Sequence, residues 1–290
     1  MSITWKQAIA DASNSLSQHG ISDAKSNADF LALHILGLWN RSELNPFLEN
    51  SIRAEELAEF DKLMQRRCLH EPLQHIIGET EFYGLRLFTS PSALIPRPET
   101  EILVEEAIRE CHELLTREIR ILDIGTGSGA IALALASSNK NFDVLGIDVS
   151  ENALALAEKN KVRVGLRNLT FEQKDIFSQG FPFDCSTPFD LIVSNPPYIP
   201  ATDILTLELD VRDFEPHIAL TDKGDGLLFY RRIVELSKQL LTHDGKIVVE
   251  IGFGQTSEVI KIFLSGGLTI LRVVKDLQGI ERVIVASCAY

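Results

Sequence analysis

The run ILDIGTGSGAIALAL, residues 121–135, constrains the fold more than any other stretch: an apolar strand breaks at Gly125, Gly127 and Gly129 and passes directly into an Ala/Leu helix. A strand buried on both faces and followed at once by a helix belongs in a parallel sheet covered by helices. From about Glu99 the same alternation continues. Helices are predicted near 99–115, 128–138, 151–164, 227–241 and 255–265, with strands at 119–124, 143–148, 169–173, 189–194, 245–251, 268–275 and 281–287. Asp276–Ile280 joins the last two strands and is too short for a helical crossover, so they form an antiparallel pair at the sheet edge. The expected class is α/β with seven strands, occupying residues 99–290.

The segment before it reads differently. Trp5, Ile9 and Leu16 recur at helical spacing, Phe30, Leu31, Ile35 and Leu38 form a second stripe ended by Gly37 and Asn40, and Glu55–Leu69 repeats the pattern. Residues 1–76 are therefore expected to form a small all-helical domain that recognises a partner and carries no chemistry. Residues 77–98 combine two short β-rich runs around Tyr83-Gly84-Leu85 with three prolines, which predicts a β-hairpin linker.

Composition removes whole classes of function. The formal net charge is −13 and the pI near 5.0, so the field of the molecule repels phosphate backbones, and direct nucleic-acid binding is not expected. No apolar run approaches the roughly 18 residues of a membrane span, and the N-terminus lacks a basic segment followed by an apolar one. Cys68, Cys111, Cys185 and Cys288 show no CxxC spacing, and none of the seven histidines sits in a metal-like or triad-like cluster. The expectation is a cytoplasmic protein with reduced thiols and no metal. His217 is expected to be a surface or packing residue, and the charged face of Glu105–Arg120 a solvated helix.

Gly125, Thr126, Gly127, Ser128 and Gly129 fall at the carboxyl end of the first strand of the sheet, where open α/β sheets bind ligands. Asp148 ends the next strand and can accept both hydroxyl hydrogens of a ribose. Together they imply a nucleoside. Gly125, Gly127 and Ala130 also satisfy the dinucleotide pattern G-x-G-x-x-G/A, so this loop alone fits NAD equally well.

The strand 189–194 runs into Asn195-Pro196-Pro197-Tyr198-Ile199-Pro200, again at the carboxyl edge. Proline fixes φ and holds the preceding residue extended, so Asn195 and Pro196 form a rigid pair of acceptors. The Asn195 side-chain oxygen and a backbone carbonyl can accept both hydrogens of a planar NH2 group while Tyr198 packs on its plane. Such a group is a poor nucleophile because its lone pair is delocalised; holding its hydrogens out of resonance frees nitrogen to attack a methyl sulfonium. An adenine amine and a glutamine amide both meet this description.

With these segments in place the chain resembles the release-factor glutamine methyltransferases over its whole length. The matching runs are Leu94–Glu101, Leu122–Leu135, Gly146–Ser150, Asn195–Pro200, Glu215–Leu220, Asp225–Tyr230, Glu250–Gln255 and Asp276–Arg282. The resemblance implies a seven-stranded, Rossmann-like methyltransferase domain behind a helical domain that helps dock a class I peptide chain release factor. It implies S-adenosylmethionine as methyl donor, with S-adenosylhomocysteine as product and the side-chain amide of the glutamine in a Gly-Gly-Gln motif as acceptor. By resemblance Gly125–Gly129 line the methionine and ribose of the cofactor, Asp148 binds the ribose, and Asp175 with Ile176 flank the adenine. Asn195, Pro196, Pro197 and Tyr198 hold the glutamine amide, with Asn195 also reaching the cofactor. The chain departs from the family pattern at Ile176, where an aromatic residue is usual, and at Asp210, where Glu is usual. A monomer is expected. An adenine N-methyltransferase and a non-catalytic release-factor-binding module are the alternatives. Arg97 and Glu99 read either as a cleft-closing pair or as a surface ion pair, Glu215-Pro216 as a support for Tyr198 or a cap on a lid, and the long loop 199–226 as that lid.

Overall fold

The computed structural model describes residues 3–111, 117–181 and 187–288, so Cys185 and the end of the helix predicted over 99–115 lie outside the described residues. The chain divides into two compact units: one runs up to Glu79 and takes in Glu208–Phe214, and the other comprises Thr80–Leu207 and the chain from Glu215 onward.

In the first unit, α1 (Trp5–Gln18), α2 (Ala24–Leu36), α3 (Arg41–Leu44), α4 (Ala54–Cys68) and α5 (Leu73–Ile77) enclose a core of Trp5, Leu16, Leu31, Phe60 and Leu63. Trp5 meets Phe60 edge to face with ring centroids 5.7 Å apart. Helix α1 starts at a capping box in which Thr4 and Gln7 satisfy each other's backbone N–H groups, and α2 stops where Gly37 takes φ +67°. Arg67 is buried in this unit. Its Nε donates to Asn27 Oδ1 at 2.8 Å and its Nη1 to the Glu71 carbonyl at 2.9 Å, while Nη2 pairs with Asp210 at 3.4 Å. That pair ties the segment 208–214, which comes from the long loop of the other unit's sequence, to α4.

The hairpin β1 (Glu79–Phe82) and β2 (Leu85–Phe88) starts at the last residue of the first unit and otherwise belongs to the second, and its turn residues Tyr83 and Gly84 both have positive φ, 49° and 72°. That is a type I′ turn. Phe82 and Leu87 bury themselves in the main core, and the backbone N–H of Phe88 donates to Asn160 at 2.7 Å. There follow α6 (Thr100–Cys111), β3 (Ile119–Ile124), α7 (Ala130–Ser138), β4 (Phe142–Asp148), α8 (Glu151–Val164), β5 (Leu169–Gln173), β6 (Phe189–Ser194), α9 (Leu209–Phe214, in the first unit), α10 (His217–Leu220), α11 (Leu228–Leu240), β7 (Leu241–Glu250), α12 (Thr256–Ser265), β8 (Leu268–Lys275) and β9 (Glu281–Cys288).

Strands β3–β9 form one sheet in the order β5-β4-β3-β6-β7-β9-β8, parallel except where β9 inserts antiparallel between β7 and β8. The expected α/β class and the antiparallel final pair are both present. The chain works outward from β3 through β4 to β5, then returns to the other side of β3 to lay down β6 and β7. The direction reverses between β3 and β6, and a crevice opens at the carboxyl ends of those two strands. One face of the sheet packs α6 and α7 through Leu103, Ala107, Leu133 and Val285; the other packs α11 and α12 through Tyr230, Ile233, Val259 and Phe263.

The charged face of α6 is not solvated as expected. Glu106 and Glu110 are buried, and Arg272 of β8 bridges both, while Lys246 of β7 reaches Glu110 at 2.7 Å. The helix lies across the sheet with these carboxylates inward, and cations on the strands complete them. A helical charge pattern carries no mark of what the strands beneath it offer. The long loop 199–226 likewise carries α9 and α10, and is pinned by Asp222, which accepts from the N–H groups of Gly224, Gly226 and Leu228.

Candidate active site at the sheet switch point

Register assembles the site. Ile124 pairs with Ile147, Asp123 with Val193, and Ser194 with Val249. Four neighbouring strands therefore end level with one another, and Asp148, Gly125, Asn195 and Glu250 follow in a row across them. The Ser194 hydroxyl, fully buried, donates to the Ile124 carbonyl at 2.7 Å and locks β6 to β3 at this level.

At these ends lies a cavity of about 310 Å³, the size of a small-ligand site. Gly125, Thr126, Gly127, Ser128, Asp148, Asp175, Ile176, Asn195 and Pro197 all line it. Gly129, Pro196 and Tyr198 do not. Gly129 sits at φ +82°, and a Cβ there would come within 2.9 Å of the Phe171 ring and 3.1 Å of Ala157. It is a glycine because helix α7 must start tight against β5 and α8, which corrects its expected place in the cofactor wall. Pro196 is buried, and Tyr198 turns its hydroxyl to Glu250, 3.2 Å away, so its ring is held by the sheet end and does not stand in the cavity.

Asp148 is held by its own loop. Its Oδ2 accepts from the Gly127 N–H and its Oδ1 from the Ser150 N–H, both at 2.9 Å. A carboxylate oxygen accepts more than one hydrogen bond, so each keeps capacity for a hydroxyl of a ribose. Beyond it the walls are apolar, formed by Ile131, Ile147, Val149 and Ile176. Phe177, 41% exposed, also lines the cavity and meets Phe229 edge to face at 5.1 Å. An aromatic ring thus stands one position after Ile176, which lines the cavity and packs into the core behind it. Asp175 caps its own turn by accepting from the Phe177 N–H at 2.8 Å. A fixed diol acceptor, an apolar slot for a flat base and a glycine turn open to solvent at Gly125 fit S-adenosylmethionine well.

Asn195 stands at the inner end. Its Nδ2 donates to Thr100 Oγ1 at 3.2 Å, and Thr100 Oγ1 donates to Glu250 Oε2 at 2.7 Å. Glu250 is 2% exposed, and burial pushes its carboxyl up to about 7 against the opposing hydrogen bonds of Thr100 and Tyr198. Burial and Glu250 together push the Tyr198 phenol up, so it stays a donor. Asp123, below the glycine turn, is also raised to about 7 by burial, while Thr126 donates to it at 2.7 Å. The Asn-Pro-Pro-Tyr backbone is clamped from outside by Gln255, whose Nε2 donates to the Tyr198 carbonyl at 2.8 Å.

Arg97 pairs with Glu215 and not with Glu99, and the buried Glu215 also accepts from the Ile95 N–H at 3.4 Å. Glu215 thereby supports the 95–97 segment that walls the cavity. Thr100, Glu250 and Gln255 all fall inside the runs that matched the family, yet the residues themselves gave no chemical reason to single them out. Among the described residues no group of three or more His, Cys, Asp or Glu could hold a metal ion, and no helix is long and apolar enough to cross a membrane.

Comparison with known proteins agrees with this layout. Residues 7–78 match a family model described as the PrmC N-terminal domain, and residues 115–255 one described as a methyltransferase domain. A release factor glutamine methyltransferase of Geobacter sulfurreducens is 40% identical over 93% of this chain and 91% of its own length. One from Fusobacterium nucleatum is 39% identical over 94% and 76%. A solved protein-(glutamine-N5) methyltransferase, release factor-specific, from Alicyclobacillus acidocaldarius is 32% identical, covering 69% of this chain and 97% of that one, with a TM-score of 0.41. A Pyrococcus furiosus methyltransferase, 17% identical over 71% of this chain and 90% of its own, has a TM-score of 0.50 and shares the fold.

Proposed function

This chain belongs to the release factor glutamine methyltransferases, and from that premise we infer that Asn195 holds the acceptor glutamine at the rim of the cofactor cavity. The protein is an S-adenosylmethionine-dependent methyltransferase that methylates glutamine in release factors. Class I factors, their Gly-Gly-Gln motif and its side-chain amide nitrogen are the finer part of the reading.

One observation carries it: Asn195 donates an amide hydrogen to Thr100, which turns its NH2 that way and its oxygen toward a ligand, and it lines the same cavity as Asp148 and Gly125. An amide NH2 presented there finds an acceptor fixed by two prolines. S-adenosylmethionine supplies the electrophilic methyl when bound. The chain's own part is to align the amide nitrogen and withdraw its hydrogens from the plane of resonance, with the surplus proton leaving to water. Asp148 holds the ribose; Asp175, Ile176 and Phe177 hold the adenine; Thr126, Gly127 and Ser128 line the path between them. The helical unit docks the release factor. A monomer acting in the cytoplasm, without nucleic acid, accords with the net charge of −13.

The test is transfer of labelled methyl from S-adenosylmethionine to a purified bacterial release factor, beside the same factor with its tripeptide glutamine changed to alanine. Label on the first alone supports the reading. Label on neither, with cofactor bound, or label on DNA or RNA instead, would remove it.

A further inference from the structure

We propose that Thr100 and Glu250 are positioning residues that fix which end of the Asn195 amide faces the substrate. This rests on the glutamine reading above and deepens it.

An asparagine side chain is nearly symmetric in shape, so packing alone does not decide whether its oxygen or its NH2 points at a ligand. Here the choice is made two residues away. The ionised Glu250 carboxylate can only accept. Its Oε2 takes the hydroxyl hydrogen of Thr100 at 2.7 Å, and its Oε1 that of Tyr198 at 3.2 Å. Having given its one hydrogen away, Thr100 Oγ1 offers only lone pairs toward Asn195, 3.2 Å from it. The amide must then present Nδ2 to Thr100 and Oδ1 to the cavity. Turned over, two oxygens would face each other beside Thr100 and Glu250, which are only 4% and 2% exposed, and a buried pair of acceptors without a hydrogen between them is costly. Direction thus passes from a buried charge through one hydroxyl to the acceptor that the chemistry requires.

The sheet supplies the geometry. Ser194 pairs with Val249, so Asn195 and Glu250 end adjacent strands at one level, and Thr100, the first residue of α6, drops its hydroxyl between them. The Glu250 main chain is held too, since its carbonyl accepts from Tyr230 at 2.9 Å.

The test compares wild type with Thr100→Val, Thr100→Ser, Glu250→Gln and Asn195→Ala, measuring kcat and KM for the release factor, S-adenosylhomocysteine affinity by calorimetry, and melting temperature. Valine keeps the shape of threonine but removes the direction. A misaligned reacting group costs on the order of 100-fold, so Thr100→Val is expected to lose kcat by about that factor while KM and cofactor affinity hold within about threefold. Thr100→Ser should restore most of the loss, Glu250→Gln should fall between them, and Asn195→Ala should be at least as impaired as Thr100→Val. A Thr100→Val enzyme as fast as wild type overturns the proposal. So does a serine variant as slow as the valine one, or a loss accompanied by weakened cofactor binding or a lowered melting temperature, since each would mark a merely structural role. A wild type inactive on release factor would instead overturn the reading beneath it, which keeps the two failures apart.

Discussion

Gly226 lies directly against the carbonyl of Tyr198: a Cβ at position 226 would overlap that oxygen and come within 2.9 Å of Gln255 Nε2. Gly226 also sits at φ +76°, where an L side chain is strained by roughly 1–2 kcal/mol. Gly226→Ala should therefore push the Asn-Pro-Pro-Tyr backbone off Gln255. The expected outcome is a fall in kcat on the order of 100-fold with S-adenosylhomocysteine affinity unchanged. Weakened cofactor binding with normal turnover at saturation would contradict it.

The glycine turn separates into two jobs that two substitutions should divide. At Gly129 a Cβ meets Phe171 and Ala157, so Gly129→Ala should cost about 1–3 kcal/mol of stability, read as a lower denaturation midpoint. Asp148→Ala should act on the ligand. It removes hydrogen bonds to a charged acceptor, worth about 1.5–3 kcal/mol apiece, and so should weaken S-adenosylhomocysteine at least tenfold. Were Gly129→Ala to weaken cofactor without lowering stability, the assignment of Gly129 to packing would fail.

What the sequence reveals and what it hides divides along a physical line. The strand-glycine-helix unit, Asp148 and Asn195-Pro-Pro-Tyr are legible because each is local: periodicity, φ and strand-end position belong to a few consecutive residues. Thr100 and Glu250 are silent because their roles exist only in register, and Glu215 stands out beside its proline while its pairing with Arg97 and Ile95 does not. Glu250 is one acidic residue ending an apolar strand until β6 and β7 align and place it beside Asn195, 55 positions earlier by number. Gly129 was misread for the opposite reason, since a glycine required by Phe171 and one required by a nucleoside look alike in a single sequence. Glu106 and Glu110 were misread because a helix shows its charges without showing the strands that will answer them.

Those two carboxylates yield a stability prediction. Arg272 pairs with both, and Lys246 reaches only Glu110. Removing one partner of a buried pair leaves an uncompensated charge, which costs about 3–5 kcal/mol. Arg272 is a third exposed and water can enter in its place, so Arg272→Ala should fall near the lower bound, about 3 kcal/mol in urea denaturation. Arg272→Met with both Glu106→Gln and Glu110→Gln should recover much of that loss. A change below about 1 kcal/mol in the single variant, the usual worth of a surface pair, would show that α6 meets water after all.

Activity and stability should respond to pH in opposite senses. Burial raises Glu250 from 4.5 and Asp123 from 3.8 to about 7 in the folded chain. Around Glu250, Thr100, Tyr198 and Arg282 favour the charged form, while burial and Glu99 oppose it, and Tyr230 binds only its main-chain carbonyl. A raised folded pKa means that folding takes up a proton between the two values, so the stability these groups contribute is full below about 4 and is lost as pH rises through 7. Asp190 and Glu110 are held below their ordinary values by Arg117, Lys246 and Arg272 in spite of burial, so their opposite effect falls below about pH 4. Between pH 5 and 8 the melting temperature should therefore decline. Turnover should rise over the same interval, because only ionised Glu250 compels Thr100 to accept from Asn195. Scanning calorimetry and kcat at constant ionic strength would show both trends, and Glu250→Gln should flatten the second while leaving the part of the first that belongs to Asp123. A melting temperature that climbs from pH 5 to 8, or a turnover profile identical in Glu250→Gln, would mean that Glu250 does not titrate in this window.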